Sequence, residues 1–525
     1  MRRPARFRVF LLPLLGALAS CGGSGVESSG AAASGSGGGG TTTWQSGVFL
    51  PSANFDKMCV NPRPGTADRQ GTRTDENNWL RSWTNELYLW YSEVDDIDPS
   101  QYATDAYFKL LKTNAVTASG HPKDKFHFTY GTDEWQALSQ SGTEAGYGAE
   151  FAVLAPTPPR NIVVAFTDPN TPAATNLARG DTILQVDGAD AVNGNTDALV
   201  ATLNAGLFPG ATGESHSFLV QNTAGQTRTV TMSSQTITHS PVPIVTTFAT
   251  GSGNVGYIQF NDHVATAETP FIAAVNTLKS QNVTDLILDI RYNGGGYLDL
   301  ASEVAYMIAN TTLTNGRTFE KIVFNDKNPS KDPVTGESLA PTPFWTKTQG
   351  FTGGAPANQT LPSLNLNNLY VITGPGTCSA SESIINSLRG VNVNVYLIGS
   401  TTCGKPYGFY PTDNCGTTYF TIQFRGENAA SFGDYSDGFS PANQAANKGT
   451  SVPGCSVADD FTHPLGTAGE GRIAAALAFR ASNNQSCPAP TGDSLPRVAK
   501  NSLSGFDMGL AVSKPAARSN RIIRY

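Results

Sequence analysis

Short apolar runs recur through the second half of the chain, and apolar residues at helical spacing lie between them. Val255 to Phe260 and Leu286 to Ile290 are two such runs, and Leu369 to Thr373 and Val393 to Ile398 are two more. Between them lie helical patterns: a stretch near Pro270 to Ser280, the face Leu298, Ala301, Val304, Ala305 and Ile308, and Ile384, Ile385 and Leu388 closed by Gly390. A last helix is expected from Gly469 to Phe479. Runs too short for buried helices, alternating with helix-period segments, predict an α/β domain built on a parallel βαβ framework. Sites on such sheets collect at the strand C-termini.

The first half is patterned differently. Arg2, Arg3, Arg6 and Arg8 precede an apolar stretch, Val9 to Ser20, of twelve residues. That is too short for a membrane-spanning helix and reads as an export signal. Gly22 to Thr43 is almost wholly Gly, Ser, Ala and Thr, a tether with an r.m.s. reach of roughly 25 Å. Trp79, Leu80, Trp83, Leu87, Trp90 and Tyr91 fall on one helical face behind a cap at Asp75, which makes a small helical region with an aromatic core.

A length of 525 residues fits two or three domains, and 39% hydrophobic content suits globular folding. The net charge of −7 gives no reason to propose a nucleic-acid partner. The six histidines are scattered and no Cys/His cluster has zinc-ligand spacing, so no metal and no cofactor is expected.

Candidate chemistry centres on Leu369 to Lys405. The first strand runs through Gly374-Pro375-Gly376-Thr377-Cys378 into Ser379-Ala380-Ser381-Glu382. The second runs through Gly399 to Cys403 into Gly404-Lys405. If the two strands are neighbours, Ser379 and Lys405 reach the same end of the sheet. From this local pattern alone Ser379 is a helix N-cap. The two motifs together resemble the carboxyl-terminal processing (tail-specific) serine peptidases. The resemblance implies a crotonase-like peptidase core, with Ser379 as nucleophile and Lys405 as general base. A lysine accepts a proton only when neutral, which needs a pKa depressed by desolvation. Asp289-x-Arg291-x-Asn293-x-Gly295-Gly296 resembles a second family motif. It implies an oxyanion hole made by the N–H groups of Gly295 and Ala380, with Asp289 and Arg291 pinning the loop. That glycine run lacks the Lys-Ser/Thr of a P-loop and the GxGxxG spacing, which argues against a phosphate cradle.

The resemblance extends upstream. Gly146-Tyr147-Gly148-Ala149, with Gly180-Asp181-Thr182-Ile183-Leu184-Gln185-Val186-Asp187-Gly188, resembles a PDZ domain. Gly146, Tyr147, Gly148 and Ala149 match the loop that holds a peptide's terminal carboxylate, which implies polypeptide partners with free C-termini. The plainer reading keeps the fold as a spacer. Leu18-Ala19-Ser20-Cys21 resembles a bacterial lipobox. It implies lipidation at Cys21 and a membrane anchor in the cell envelope, and Gly22 after it favours the outer membrane, facing the periplasm. The division is then 1–20 signal peptide, 21–43 tether, 44–141 helical region, 142–235 PDZ domain, 236–490 catalytic domain and 491–525 a solvated basic tail.

Several points stay open. Cys59, Cys378, Cys403, Cys415, Cys455 and Cys487 allow fifteen pairings, among them Cys403 with Cys415 across one hairpin. Cys378, beside the serine, is read as structural. The glutamine that in many family members follows the lysine by four residues is replaced by Phe409, and Gln423 is the candidate substitute for orienting Lys405. Two other classes compete with the peptidase: a PDZ adaptor on an inactive peptidase fold, and a hydrolase using Ser379 with His463. The second lacks a G-x-S-x-G elbow.

Overall fold

The computed structural model describes residues 44–445, 449–492 and the backbone of 521–523. The expected signal peptide, Cys21, the tether and most of the basic tail lie outside the described residues.

Helix α1, Arg73–Leu87, starts at Thr72 rather than Asp75. Thr72 Oγ1 accepts the Asp75 N–H at 3.2 Å, while Asp75 Oδ2 accepts the Thr72 N–H at 2.8 Å. This reciprocal pair satisfies two of the donors that a helix start leaves open. Trp79, Leu80 and Trp83 are buried as expected, and the two indole systems stack at 5.1 Å. Trp90 and Tyr91 are not on this face, because the chain leaves the helix at Tyr88. Two contacts pull it away: the Leu89 N–H donates to Ile422 O at 2.8 Å, and the Tyr88 hydroxyl donates to buried Asp124 at 2.7 Å. The region has no separate core. Tyr419 joins Trp79, Trp83 and Phe108, strand Phe128–Gly131 pairs with Thr417–Phe420, and a disulfide links Cys59 to Cys415.

The module at the PDZ position is an antiparallel sheet of β1 (Ala149–Ala155), β2 (Asn161–Thr167), β3 (Thr182–Val186), β4 (Ser215–Gln221) and β5 (Thr227–Ser233), in the order β5-β4-β3-β2-β1. Helix α2, Asp197–Leu207, contributes Leu203 and Leu207 to the core with Phe151, Val164, Val186 and Phe218. Strand β1 ends the order. The module is closed at its base where Thr143–Gly146 pairs with Gln235–Thr238.

Residues 244–481 follow the expected alternation. Their sheet holds β6 (Ile244–Thr250), β7 (Gly253–Gln259), β8 (Val283–Asp289), β10 (Asn368–Thr373), β11 (Asn394–Gly399) and β12 (Gly454–Ser456), ordered β6-β7-β8-β10-β11-β12. Only β6 and β7 run antiparallel; every later pair is parallel. Between β8 and β10 lies β9, Gly295–Tyr297, outside this sheet. Helices α3 (Glu268–Ser280), α4 (Leu298–Ile308) and α5 (Ala380–Gly390) bury one face against Ile258, Leu286, Leu288, Leu369 and Val371. Helix α6, Gly471–Ala481, covers the other through Ile473 and Phe479. Strand β13, Arg521–Ile523, pairs in parallel with β9, so this part of the expected solvated tail is ordered as a strand.

The disulfides are Cys59–Cys415, Cys378–Cys403 and Cys455–Cys487. The Cys403–Cys415 pairing is therefore incorrect. Cys415 faces the N-terminal region, which the sequence had suggested was separate.

Candidate active site

Strands β10 and β11 are parallel neighbours in register from Asn368↔Asn394 to Thr373↔Gly399. The loops carrying Ser379 and Lys405 therefore leave the same end of the sheet. The first loop is anchored to β8's continuation, where Thr377 Oγ1 donates to Ile290 O at 2.8 Å and accepts the Gly374 N–H at 3.0 Å. Ser379 then takes φ 65°, ψ −122°, a region a residue with a Cβ rarely enters. Such a conformation costs about 1–3 kcal/mol and persists only where the surroundings impose it. Ser379 is fully buried, and Ala380 opens α5 directly behind it.

The imposing group is Glu382. Its carboxylate accepts the N–H of Ser379 at 3.0 Å, of Gly404 at 2.9 Å and of Lys405 at 2.8 Å, and the Thr402 hydroxyl. Burial pushes its pKa up, while these bonds oppose the shift. One side chain thus clamps both loops, and the Cys378–Cys403 disulfide clamps them a second time. Glu382 stands in the Ser-Ala-Ser-Glu motif, where the sequence alone assigns it no role. The signal was there as the Ser-x-x-Glu spacing of a capping box.

Lys405 is fully buried, and Nζ has no hydrogen-bond partner among the described residues. It lies 4.1 Å from the centroid of the Phe409 ring and 5.0 Å from that of Phe126. Desolvation holds its pKa well below the usual lysine range, only partly opposed by the charges of Asp124 and Glu382. A neutral amine in an apolar slot can accept a proton. Gln423 makes no hydrogen bond to it: Oε1 accepts the Tyr410 N–H at 3.0 Å, and Nε2 has no partner among the described residues.

The glycine loop lies across from the serine and is organised by Asn293. Asn293 Oδ1 accepts the Gly295 N–H at 2.9 Å, and Asn293 O accepts the Cys378 N–H at 3.2 Å and the Ser381 hydroxyl at 3.1 Å. The Gly295 amide, expected to face an oxyanion, is thus turned onto a side chain in this structure. Gly296 sits at φ 146°, where an added Cβ would lie 2.4 Å from His263 O, so no other residue fits. Arg291 pins the loop as expected. It is buried and pairs with Asp289 at 2.8 Å, Asp459 at 2.7 Å and Glu470 at 2.7 Å.

At the PDZ position, Gly146 lies in the ladder opposite Gln235 and Ala149 begins β1, which leaves Tyr147 and Gly148 in the turn. Tyr147 is buried, and its hydroxyl donates to Gly206 O at 3.0 Å. Gly148 takes φ 78°. His463 stays at the surface, with Nδ1 2.6 Å from Asp460. Among the described residues one group has metal-ligand proximity, Cys378, Glu382 and Cys403, and its two thiols form a disulfide. Also among the described residues, no helix is long and apolar enough to cross a membrane.

Residues 254–409 match the model of peptidase family S41. The chain is similar to a carboxyl-terminal-processing protease of Picosynechococcus sp., 26% identical over 270 residues, covering 51% of this chain and 56% of that protein. It is also similar to the chloroplastic carboxyl-terminal-processing peptidase 2 of Arabidopsis thaliana, 27% identical over 280 residues, covering 51% of this chain and 47% of that protein. The chain thus spans about half the length of these curated relatives. In fold it resembles a putative S41 protease of Bacteroides fragilis, with a TM-score of 0.53 at 21% identity, covering 77% of this chain and 97% of that structure.

Proposed function

We propose, from the family S41 match over residues 254–409, that this chain is a serine endopeptidase that cuts polypeptides near their carboxyl termini. Ser379 is the nucleophile, Lys405 its general base, and the reaction passes through an acyl-enzyme on a crotonase-like core. The observation that carries the reading is the buried Lys405 amine, without a hydrogen-bond partner, on a loop clamped to Ser379 by Glu382. A neutral lysine takes the serine proton as Oγ attacks the scissile carbonyl, then returns it to the leaving amine. The Ala380 N–H at the start of α5 stabilises the oxyanion. The Gly295 N–H joins it once substrate turns that amide away from Asn293. Substrate runs as an added strand beside β9, the path β13 takes here.

The remaining parts follow from the PDZ-like and lipobox-like sequences. Strand β1 at the sheet edge, with Gly146 to Ala149 at its start, receives a substrate's free C-terminus. Lipidated Cys21 holds the protein in the bacterial envelope, at the outer membrane facing the periplasm. No nucleic acid, metal or cofactor takes part.

The test is turnover of a peptide by wild type, Ser379→Ala and Lys405→Ala. Each substitution is expected to abolish cleavage with the fold intact, and the two losses should not add, because the residues act as one unit. Near-normal cleavage by Lys405→Ala would remove the base assignment. No cleavage by any form, with peptide still bound, would leave an adaptor.

A further inference from the structure

We propose that Asp124-Lys125-Phe126, a segment of the N-terminal region, is the positioning element for Lys405, with Asp124 as its anchor and facing charge. The inference rests on the peptidase reading of Lys405.

The catalytic region supplies nothing polar to hold this amine. Nζ has no hydrogen-bond partner, Phe409 offers only a ring, and Gln423 is engaged at Tyr410 N–H. The N-terminal segment closes the gap. The ring of Phe126 forms the second wall, 5.0 Å from Nζ. The Lys125 ammonium donates at 2.7 Å to the carbonyl of Cys403, two residues before Lys405 and bridged to Cys378. Asp124 fixes the turn that presents both side chains. Its Oδ1 accepts the Phe126 N–H at 2.9 Å, and its Oδ2 accepts the Tyr88 hydroxyl at 2.7 Å. Such an Asx turn sets the direction of the two residues that follow. Asp124 is 1% exposed, so its charge is little screened by water.

The segment acts on Lys405 in two opposed ways. The Phe126 wall keeps water away and favours the neutral amine, whereas the Asp124 charge favours the protonated one. The other charged group acting on Lys405 is Glu382, from α5, and Lys125 sits beside them on Cys403 O. His127, next along, is neutral, because burial pushes its pKa down to about 4. The balance sets where the amine becomes available.

Asp124→Asn tests this, since Asn keeps the Oδ1 acceptor and its amide can donate to the Tyr88 oxygen. Removing the charge is expected to move the acid limb of kcat/KM about one pH unit lower. Phe126→Leu admits water and is expected to move the limb higher, with kcat/KM at neutral pH falling about tenfold. Thermal unfolding checks the fold of both, and if Asp124→Asn does not fold, Phe126→Leu alone decides. Titration of the Lys405 amine by NMR in Ser379→Ala protein, with and without each substitution, gives the same shifts without turnover. Profiles and titrations that superimpose on the parent would overturn the proposal. Shifted titrations in a protein without turnover would support the segment's effect on Lys405 and overturn the peptidase reading instead.

Discussion

At the scale of single residues, burial without a partner distinguishes Lys405 from the surface lysines, and it has a sign. Its depressed pKa means that kcat/KM should rise as pH climbs through the acid limb, where the amine loses its proton. A profile flat from acid to alkaline pH, with chemistry limiting, would contradict this. Glu382 makes a sharper case. Glu382→Gln keeps the volume but replaces one oxygen by a donor facing backbone N–H groups of Ser379, Gly404 or Lys405. Misplacing the two loops by a fraction of an ångström should lower kcat about a hundredfold, with KM changed far less. Arg291→Met would leave Asp289 and Glu470 in the interior without their cationic partner, while Asp459 keeps Arg179. Denaturant unfolding should register a loss of about 3–5 kcal/mol. Ser379, Lys405 and Arg291 were legible in the sequence because their motifs are local. Asp124 and Phe126 were not, since they lie far along the chain from Lys405 and carry no motif of their own. The orientation of the Gly295 amide was equally hidden, because it depends on which acceptor, Asn293 or an oxyanion, is within reach.

Among the elements, the strands and helices of residues 244–481 matched their periodicity closely, because parallel strands buried on both faces are continuous apolar runs. The end of α1 did not. Its aromatic stripe continues past Leu87, but tertiary contacts of Tyr88 and Leu89 override the pattern. One ring contributes to the joint between the PDZ-position module and the core, beside the contacts of Arg179 with Tyr292 and Asp459. His239, immediately after strand Gln235–Thr238, has Nε2 2.8 Å from Glu144 and Nδ1 2.7 Å from Asp168. These bonds raise its pKa from 6.5 to about 10 against the pull of burial. A raised pKa stabilises the fold fully below pH 6.5, and that contribution fades as pH rises through about 10. His239→Gln should therefore destabilise the protein at pH 6 and hardly at all above pH 10.5, as read by thermal unfolding at the two pH values (~4 units apart). An equal loss at both would mean that packing, not charge, holds the joint.

On the scale of the whole molecule, the sequence suggested segments joined end to end, and the structure interleaves them. Strand Phe128–Gly131 completes a sheet begun by Thr412–Asn414 and Thr417–Phe420, and the Cys59–Cys415 bridge spans 356 residues. No local pattern reports such pairings, which is why the disulfides were open. Reducing that bridge removes a long-loop constraint on the unfolded chain, on the order of 4–5 kcal/mol, which should appear in the unfolding midpoint of Cys59→Ser with Cys415→Ser. The same interleaving bears on synthesis. Arg291, which pins the glycine loop, has Glu470 among its partners, and Arg472 donates to the Ser400 hydroxyl beneath the lysine loop. A growing chain therefore carries its serine and lysine long before it carries the residues that brace them. A ribosome-bound intermediate then has the composition of the candidate site without its geometry. A chain ending at residue 465, purified and given peptide, should cleave nothing, although it contains Ser379, Lys405 and every residue between.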